Sequence, residues 1–362
     1  MKRFITFSDI GQFRAVIRNI KQSAAYLGFD EEKQEPIMDP APKYPIIKAQ
    51  ATEKIHGTNA AVCFSIPDGF WVQSRTSIIE VGKDNAACAF NAMGNEEAWK
   101  NIINNLAAVY AIDLNENIIS VYFEWCGAGI QKNTAVSGIE KKMAIIFSHF
   151  KVSPIEPSEE EPAVWKETKI GETWVSDNKA DIFNINEFPT YEIEIDFAQP
   201  LMIQNSLVEL VENVIEPASP VGKQFGMEKN IGEGIVVTFM YKDVLHRFKV
   251  KGEKHSASPV KKLKKVDNVK LQKIQDIAQE VTPAWRLEQM FDLANDVING
   301  NIPAMENMGT FMKLVNTDII KEESDIIKEA GLEPKEIFRD VSTISRQFYK
   351  DRLDEIIFNQ DN

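Results

Sequence analysis

The stretch Glu53-Lys54-Ile55-His56-Gly57-Thr58-Asn59 decides how this chain is read. A lysine and a histidine stand two apart, and a glycine follows at once. Lys43-Tyr44-Pro45-Ile46-Ile47-Lys48-Ala49 leads in and Ala60-Ala61-Val62-Cys63-Phe64 leads out, so the pattern predicts strand, tight turn, strand. Gly57 lets the backbone turn without a Cβ and lets a ligand come close. A lysine held at such a turn can act as a nucleophile when desolvation or a neighbouring cation keeps it neutral. Taken alone, a Lys-x-His-Gly tetrapeptide reads as a surface turn. The later stretches decide between the two.

Upstream, residues 8 to 27 predict an amphipathic helix, with Ser8 or Asp9 as cap, Phe13, Val16, Ile17 and Ile20 at helical spacing, and Gly28 as stop. Asp30 to Pro42 is polar, carries Pro36, Pro40 and Pro42, and reads as a linker. Downstream the chain is strand-rich as far as about Lys251. Phe70 to Ser74, Ile118 to Trp125, Met143 to Val152 and the alternating Tyr191 to Phe197 predict strands. Gly234 to Tyr241 and His246 to Lys251 predict a strand pair. Asn85 to Ile112 predicts a helix that Gly94 splits, and Leu207 to Ile215 a short one. Pro154 to Lys169, with Glu156, Glu159, Glu160 and Glu161, reads as an acidic surface excursion. After Lys270 the period becomes helical: Leu271 to Ile277, Ala284 to Val297, Met308 to Val315, Asp318 to Ala330 and Pro334 to Phe358. The clearest stripe there is Ile337, Val341, Ile344 and Phe348.

The 362 residues suffice for two domains. Hydrophobic content of 44% and charged content of 26% are ordinary for a globular chain, and no apolar stretch is long enough to span a bilayer. Met1 to Asp9 has basic residues with no apolar core behind them, so a signal peptide is not expected. Cys63, Cys88 and Cys126 lack metal-ligand spacing and read as reduced core thiols. A net charge of −13 argues against a polyanionic partner only if charge is uniform, and it is not. Lys254, Lys261, Lys262, Lys264, Lys265 and Lys270 cluster around a single acid, Asp267. That run reads either as a solvated linker or as a contact for a phosphate backbone.

Five stretches line up with Lys54 and His56 as the first. The others are Gln73-Ser74-Arg75-Thr76, Tyr122-Phe123-Glu124-Trp125 followed by Gly127 to Asn133, Glu233-Gly234-Ile235-Val236-Val237, and Arg247-Phe248-Lys249-Val250-Lys251. Lys249 and Lys251 share one face of a strand, because side chains alternate with period two. Two parallel cations can clamp a di- or triphosphate and depress a third lysine nearby.

The order and wording of these stretches resemble the covalent nucleotidyltransferase superfamily, and within it the phage RNA ligase 2 family. The superfamily's nucleophile motif is Lys-x-Asp-Gly; Lys54-Ile55-His56-Gly57-Thr58-Asn59 has the histidine and Thr-Asn of the RNA ligase 2 variant. Gly129-Ile130-Gln131-Lys132-Asn133 resembles that family's wording after its third motif. Phe123 stands where a glycine often precedes the glutamate, and the chain carries extra residues before the nucleophile. The resemblance runs from about residue 44 to 255.

It implies an α+β, mostly antiparallel nucleotidyltransferase (ATP-grasp-like ligase) domain over 43–255, with a smaller all-helical C-terminal domain over 270–362. Residues 1–42 would be an N-terminal helical extension and linker, and 256–269 a basic linker. The implied activity is an ATP-dependent RNA ligase with a phage-like RNA repair role. Lys54 would take AMP from ATP, pass it to a 5′-phosphate, and a 3′-hydroxyl would displace it. Phosphoryl transfer of this kind needs positioning and charge neutralisation. The resemblance makes Lys54, His56, Asn59, Arg75 and Lys251 catalytic. It makes Glu53, Lys54, Arg75, Glu124, Phe147, Glu233, Lys249 and Lys251 nucleotide-binding, with Phe147 stacked on adenine. Glu124 and Glu233 would hold Mg²⁺, or Mn²⁺ in its place. The implied partner is RNA in a nicked duplex, with paired ends, or in an RNA–DNA hybrid. The setting would be the cytoplasm of a bacterium or phage-infected host, with no membrane and a monomer.

Each residue has a plainer reading. Glu124 and Glu233 can be strand-edge carboxylates, Phe147 a core residue and Arg75 half of a surface ion pair. His149, His246 and His255 show no ligand spacing and read as structural or exposed. A DNA ligase or mRNA capping enzyme is the rival within the superfamily, against which His56 speaks. A nucleic-acid-binding protein without catalysis is the rival outside it.

Overall fold

The computed structural model describes residues 2–8, 10–82, 84–157, 161–227, 231–252, 265–297 and 301–360. Asp9 as a cap, Glu159 and Glu160, and the basic residues Lys254, His255, Lys261, Lys262 and Lys264 lie outside them. The chain divides into two compact units. One comprises Met1–Arg18, Ile46–Asp196 and Ile203–Lys264; the other comprises Asn19–Pro45, Phe197–Met202 and Lys265–Asn362.

In chain order, α1 (Phe13–Ala25) precedes a hairpin of β1 (Tyr26–Asp30) and β2 (Glu35–Met38). Then come β3 (Ile46–Glu53), β4 (Thr58–Ser65), β5 (Gly69–Ser74), β6 (Ile78–Ile79), α2 (Cys88–Gly94), α3 (Glu96–Val109) and β7 (Asn117–Cys126). They are followed by β8 (Met143–Ile146), β9 (His149–Pro154), β10 (Val164–Glu167), β11 (Lys169–Ile170), β12 (Thr173–Trp174), β13 (Ile182–Asn184) and β14 (Thr190–Asp196). After α4 (Gln204–Leu210) and α5 (Pro220–Gln224) the first unit closes with β15 (Gly234–Tyr241) and β16 (Val244–Lys251). The remaining helices are α6 (Asn268–Glu280), α7 (Ala284–Asn295), α8 (Met308–Glu322), α9 (Ser324–Glu329) and α10 (Pro334–Gln360).

The first unit is α+β and mostly antiparallel. One sheet has the order β14-β3-β15-β16; the other runs β10-β9-β7-β4-β5-β6, with β8 against β7 and β13 against β8. Of these strand pairs, β13 with β8 is the parallel one. Period-two alternation sorts the larger sheet into two faces. Ile119, Val121, Phe123 and Trp125 of β7 join Ala60 and Val62 of β4 in a core with Trp99, Ile103 and Leu106 of α3. The opposite face of the same strands carries Tyr122, Ala61 and Cys63 in a smaller cluster with Ile5 and Trp71. Glu124 and Asn59 continue that second face and stand opposite each other in the β4–β7 register.

Several expectations change, and α8 runs through the break expected between Val315 and Asp318. The helix expected over 8–27 begins at Phe13, because the residues before it lie extended against the sheet: Ile5 exchanges hydrogen bonds with the Gln73 side chain, and Gly11 bridges Phe248. The stretch expected to be a linker over 30–42 contains strand β2. Asp30 Oδ1 closes the turn by accepting from the N–H groups of Glu32 and Lys33, and Pro36 sits where a two-stranded ribbon tolerates a proline. The strand expected over Met143 to Val152 breaks into β8 and β9 at Phe147-Ser148.

The second unit has its own core, in which Phe291, Phe311, Val315 and Tyr349 meet Ile337 and Val341 of the α10 stripe, with Ile344 and Phe348 packed beside them. Lys350 of α10 pairs with Asp39 at 2.7 Å, which joins residues 19–45 to the helices. Among the described residues, no helix is long and apolar enough to cross a membrane. The three cysteines are free and buried, and burial pushes the Cys63 and Cys88 thiols up to about 12.

Candidate active site

The site is built where β3 hands over to β4. The backbone N–H of Lys54 donates to the Gly234 carbonyl at 2.8 Å, which fixes the lysine against the start of β15. Gly57 then passes so close to β7 that a Cβ would lie 2.3 Å from the Trp125 carbonyl oxygen. The motif glycine is thus demanded by close approach rather than by a left-handed backbone. The Gly57 N–H in turn donates to Glu124 Oε1 at 3.0 Å, so the tight passage also aims the carboxyl. Gly234 has the same logic on the other sheet: φ is +150°, and a Cβ would meet the Val250 carbonyl oxygen at 2.1 Å. Only glycine lets β15 and β16 stay paired while Glu233 turns inward.

Glu233 is the hub. Lys54 Nζ lies 2.6 Å and His56 Nδ1 3.0 Å from its Oε2, and Lys251 Nζ lies 2.7 Å from its Oε1. Burial on its own raises this carboxyl. The hydrogen bond from His56 and the charges of Lys54 and Lys251 outweigh that and hold it well below the usual carboxylate range. Lys249 follows on the same face of β16. Burial, and then the charges of Lys251, Lys54 and Arg75, hold its ammonium below the ordinary lysine value. Arg75, exposed just past β5, also acts on Glu124.

The two other carboxyls behave oppositely to Glu233. Glu124 is pushed up to about 7 by burial and by the negative charge of Glu233, against the pull of Lys54, the Gly57 N–H and Arg75. Glu53 is also pushed up to about 7 by burial. Its oxygens accept from Ser219 Oγ at 2.6 Å and from the Val221 N–H at 2.8 Å, so it anchors the start of α5 beside the site.

A pocket opens beside Lys54 and Glu124, walled by Phe147, Val236, Ile55 and Leu245. Phe147 stands at the β8–β9 break, partly exposed, with its carbonyl held by Thr168 Oγ1 at 2.8 Å. Phe7 of the N-terminal segment, the β16 residue Arg247 and the neutral His149 complete the wall. Burial lowers His149 to about 4. These last three were not assigned to the site by the sequence motifs. Only Arg247 had a visible signal: the alternation Arg247, Lys249, Lys251 puts it on the face of the two motif lysines.

The structure therefore brings Lys54, His56, Glu124, Glu233 and Lys251 into one cluster, with Lys249, Asn59 and Arg75 around it and Phe147 in the adjoining wall. Glu53 lines the same pocket with its carboxylate directed at α5. Among the described residues, no group of three or more His, Cys, Asp and Glu forms a metal cage.

The family model described as RNA ligase matches residues 47–251, and the chain belongs to this family. The match spans both sheets and every motif of the site. Among solved structures, the chain is similar to a Naegleria gruberi RNA ligase mutant with AMP and Mn, at 13% identity and a TM-score of 0.38, covering 70% of this chain and 58% of that one. It is similar to the same organism's ligase with PPi at 13% identity and a TM-score of 0.38, covering 76% and 60%. A mutant of that ligase with ATP and Mn gives 14% and 0.40, covering 71% and 59%. The chain thus spans about three-fifths of the length of these ligases. No curated protein matches it by sequence.

Proposed function

We propose that this chain is an ATP-dependent RNA ligase of the RNA ligase 2 type, working through a lysyl-AMP on Lys54. One observation carries the reading: Lys54, His56 and Lys251 converge on Glu233 beside a pocket whose wall includes Phe147 and Val236. A nucleophile, a phosphate clamp and a base-sized apolar wall then share one site.

The purine enters the apolar pocket, and the triphosphate takes up Lys249 and Lys251 as partners. Lys54 Nζ forms a bond to the α-phosphorus, the bond from that phosphorus to the bridging oxygen breaks, and pyrophosphate leaves; the Nζ proton goes to solvent. Positioning and electrostatic neutralisation do most of this work. A 5′-phosphate oxygen next attacks the same phosphorus and frees Lys54. A 3′-hydroxyl then attacks the 5′-phosphorus, and AMP departs. His56 keeps Glu233 oriented toward Lys54 through its Nδ1 contact.

A divalent cation, Mg²⁺ or Mn²⁺, fits at Glu124 better than at Glu233. Glu124 has one oxygen on a backbone N–H, and its proton is easily displaced near neutrality, whereas both oxygens of Glu233 already meet cations. Such an ion relies mainly on water and phosphate oxygens, needs only one or two carboxylates, and offsets triphosphate charge when bound. RNA ends in a nicked duplex or a hybrid are the proposed substrates, read by shape and 2′-hydroxyls.

The test is transfer of α-phosphate label from ATP to the protein with Mg²⁺. Label that survives denaturation in the native chain and is absent from Lys54→Ala supports the reading. No label from ATP removes it; label from GTP alone points to a capping-type enzyme.

A further inference from the structure

Among the described residues of the first unit, the buried cation Arg247 has no acidic partner. Arg247 is 8% exposed. Its Nη2 donates to the Ser8 carbonyl at 3.2 Å and to Ser8 Oγ. Its guanidinium lies over the rings of Phe7 at 4.1 Å and Trp165 at 4.9 Å. Among the described residues, no carboxylate pairs with it. Burying a cation in this way is costly unless hydrogen bonds and a further electron-rich group answer it. The cavity that Arg247 faces also holds Phe147, Val236, Glu124 and Lys54.

The residues before α1 explain how the guanidinium is held. Tyr122 donates to the Ile5 carbonyl at 2.9 Å, and Gln73 exchanges two hydrogen bonds with Ile5. Gly11 then lies along β16: its N–H donates to the Arg247 carbonyl at 3.0 Å, and the Lys249 N–H donates to its carbonyl at 3.2 Å. Phe7 and Ile10 line the pocket between these two anchors. The N-terminal segment is therefore a strap across the free edge of β16, and it carries one wall of the site.

We propose that Arg247, held by this strap through Ser8 and Phe7, fixes the base of a purine nucleotide in the pocket by donating to a ring nitrogen. The proposal rests on the nucleotide reading of the site and adds to it the residue that reads the base. A guanidinium has only donors, and purine ring nitrogens are acceptors. Arg247 stands four residues from Lys251 on one face of β16, roughly 13 Å along the strand, which separates a base end from a phosphate end. Its planar fork stacked on two aromatic rings gives an orientation that a lysine does not reproduce.

The experiment measures lysyl-AMP formation and equilibrium ATP binding for the full chain, with ATP and its 1-deaza, 3-deaza and 7-deaza analogues. A hydrogen bond from a charged donor is worth about tenfold or more in affinity. Arg247→Met is expected to raise the KM for ATP by at least that factor with kcat near native. One deaza analogue is expected to bind the native chain correspondingly worse than ATP, while Arg247→Met binds that analogue and ATP alike. Arg247→Lys is expected to recover little. An unchanged KM in Arg247→Met overturns the proposal, and so does a variant that still discriminates among the analogues. If Arg247→Met does not fold, the native chain decides: equal binding of all four nucleotides overturns it. A native chain that binds no ATP at all overturns the nucleotide reading of the site instead.

Discussion

Each unit buries a charged hub, and the two hubs are balanced differently. In the helical unit Arg286 is 3% exposed and fully answered. Its Nε meets Asp318 Oδ2 at 2.8 Å, its Nη2 meets Glu323, and its Nη1 donates to the Val281 carbonyl at 2.6 Å. One cation faces two carboxylates and a carbonyl, and no side is left open. In the α+β unit Glu233 faces two lysines and a histidine, with Lys249 and Arg75 near enough to act on one another. A surplus of positive charge lines that site. A closed, compensated network holds structure together; an overcompensated one beside a cavity is prepared for an anion.

The sharpest way to break this contrast is to remove one cation from each hub. Lys54→Ala is expected to reduce label transfer to background, a loss of about three orders of magnitude or more, because no second amine occupies its place. The same change relieves repulsion among like charges, so Tm is expected to hold or rise. A fall in Tm comparable to that of Arg286→Met makes the two hubs alike and sinks the distinction.

Arg286→Met is the converse. It leaves Asp318 and Glu323 facing each other without their cation. Removing one partner of a buried ion pair costs about 3–5 kcal/mol, which lowers Tm on the order of 5 °C or more. Label transfer per folded molecule is expected to stay native. Lost transfer in a folded variant ties the helical unit to the chemistry of the first step.

Next in size is the response to an anion. Pyrophosphate at about 100 times its Kd is expected to stabilise the native chain by about 2.7 kcal/mol. The double variant Lys249→Met, Lys251→Met is expected to lose most of that gain. Thermal unfolding with and without pyrophosphate reads it directly. Equal stabilisation of both proteins moves the anion site away from β16.

The contrast also explains what the sequence can show. The grouping of Lys54, Glu124, Glu233, Lys249 and Lys251 was legible because their stretches match a known family's motifs in order, and the fold brings them together. The α10 stripe was legible because one helical period spans it without interruption. The strap was not: Lys2 to Ser8 has no periodicity, and its structure comes from Gln73 and Tyr122, which lie far away in the chain. Hairpin β1–β2 was hidden by prolines and charges that ordinarily mark a linker. Arg247 was in plain view beside the motif lysines, but its meaning depends on Ser8, Phe7 and Trp165, which only the fold brings to it. Glu53 looked like part of the nucleophile motif; its partners, Ser219 and Val221, lie far along the chain, in a stretch that no motif marks.

Glu53 supplies the smallest effect and a test of the electrostatics alone. Burial lifts its carboxyl from 4.5 to about 7, although Ser219 and Val221 both donate to it. The folded chain then binds this proton more tightly than the unfolded chain. The contribution is complete below about pH 4.5 and is lost as pH rises through 7, so stability falls across that window. Glu124 acts in the same direction, while Glu233, held low, contributes stability that is lost only on the acid side. Glu53→Gln keeps the shape and cannot ionise. The Tm difference between pH 5 and pH 7.5 is therefore expected to shrink by a few degrees in Glu53→Gln, on the order of 1 kcal/mol, without vanishing, because Glu124 remains. An identical pH slope in both proteins means that Glu53 is ionised in the folded chain. It is then a permanent anion anchoring α5, and the positive surplus around Lys54 is smaller by one charge.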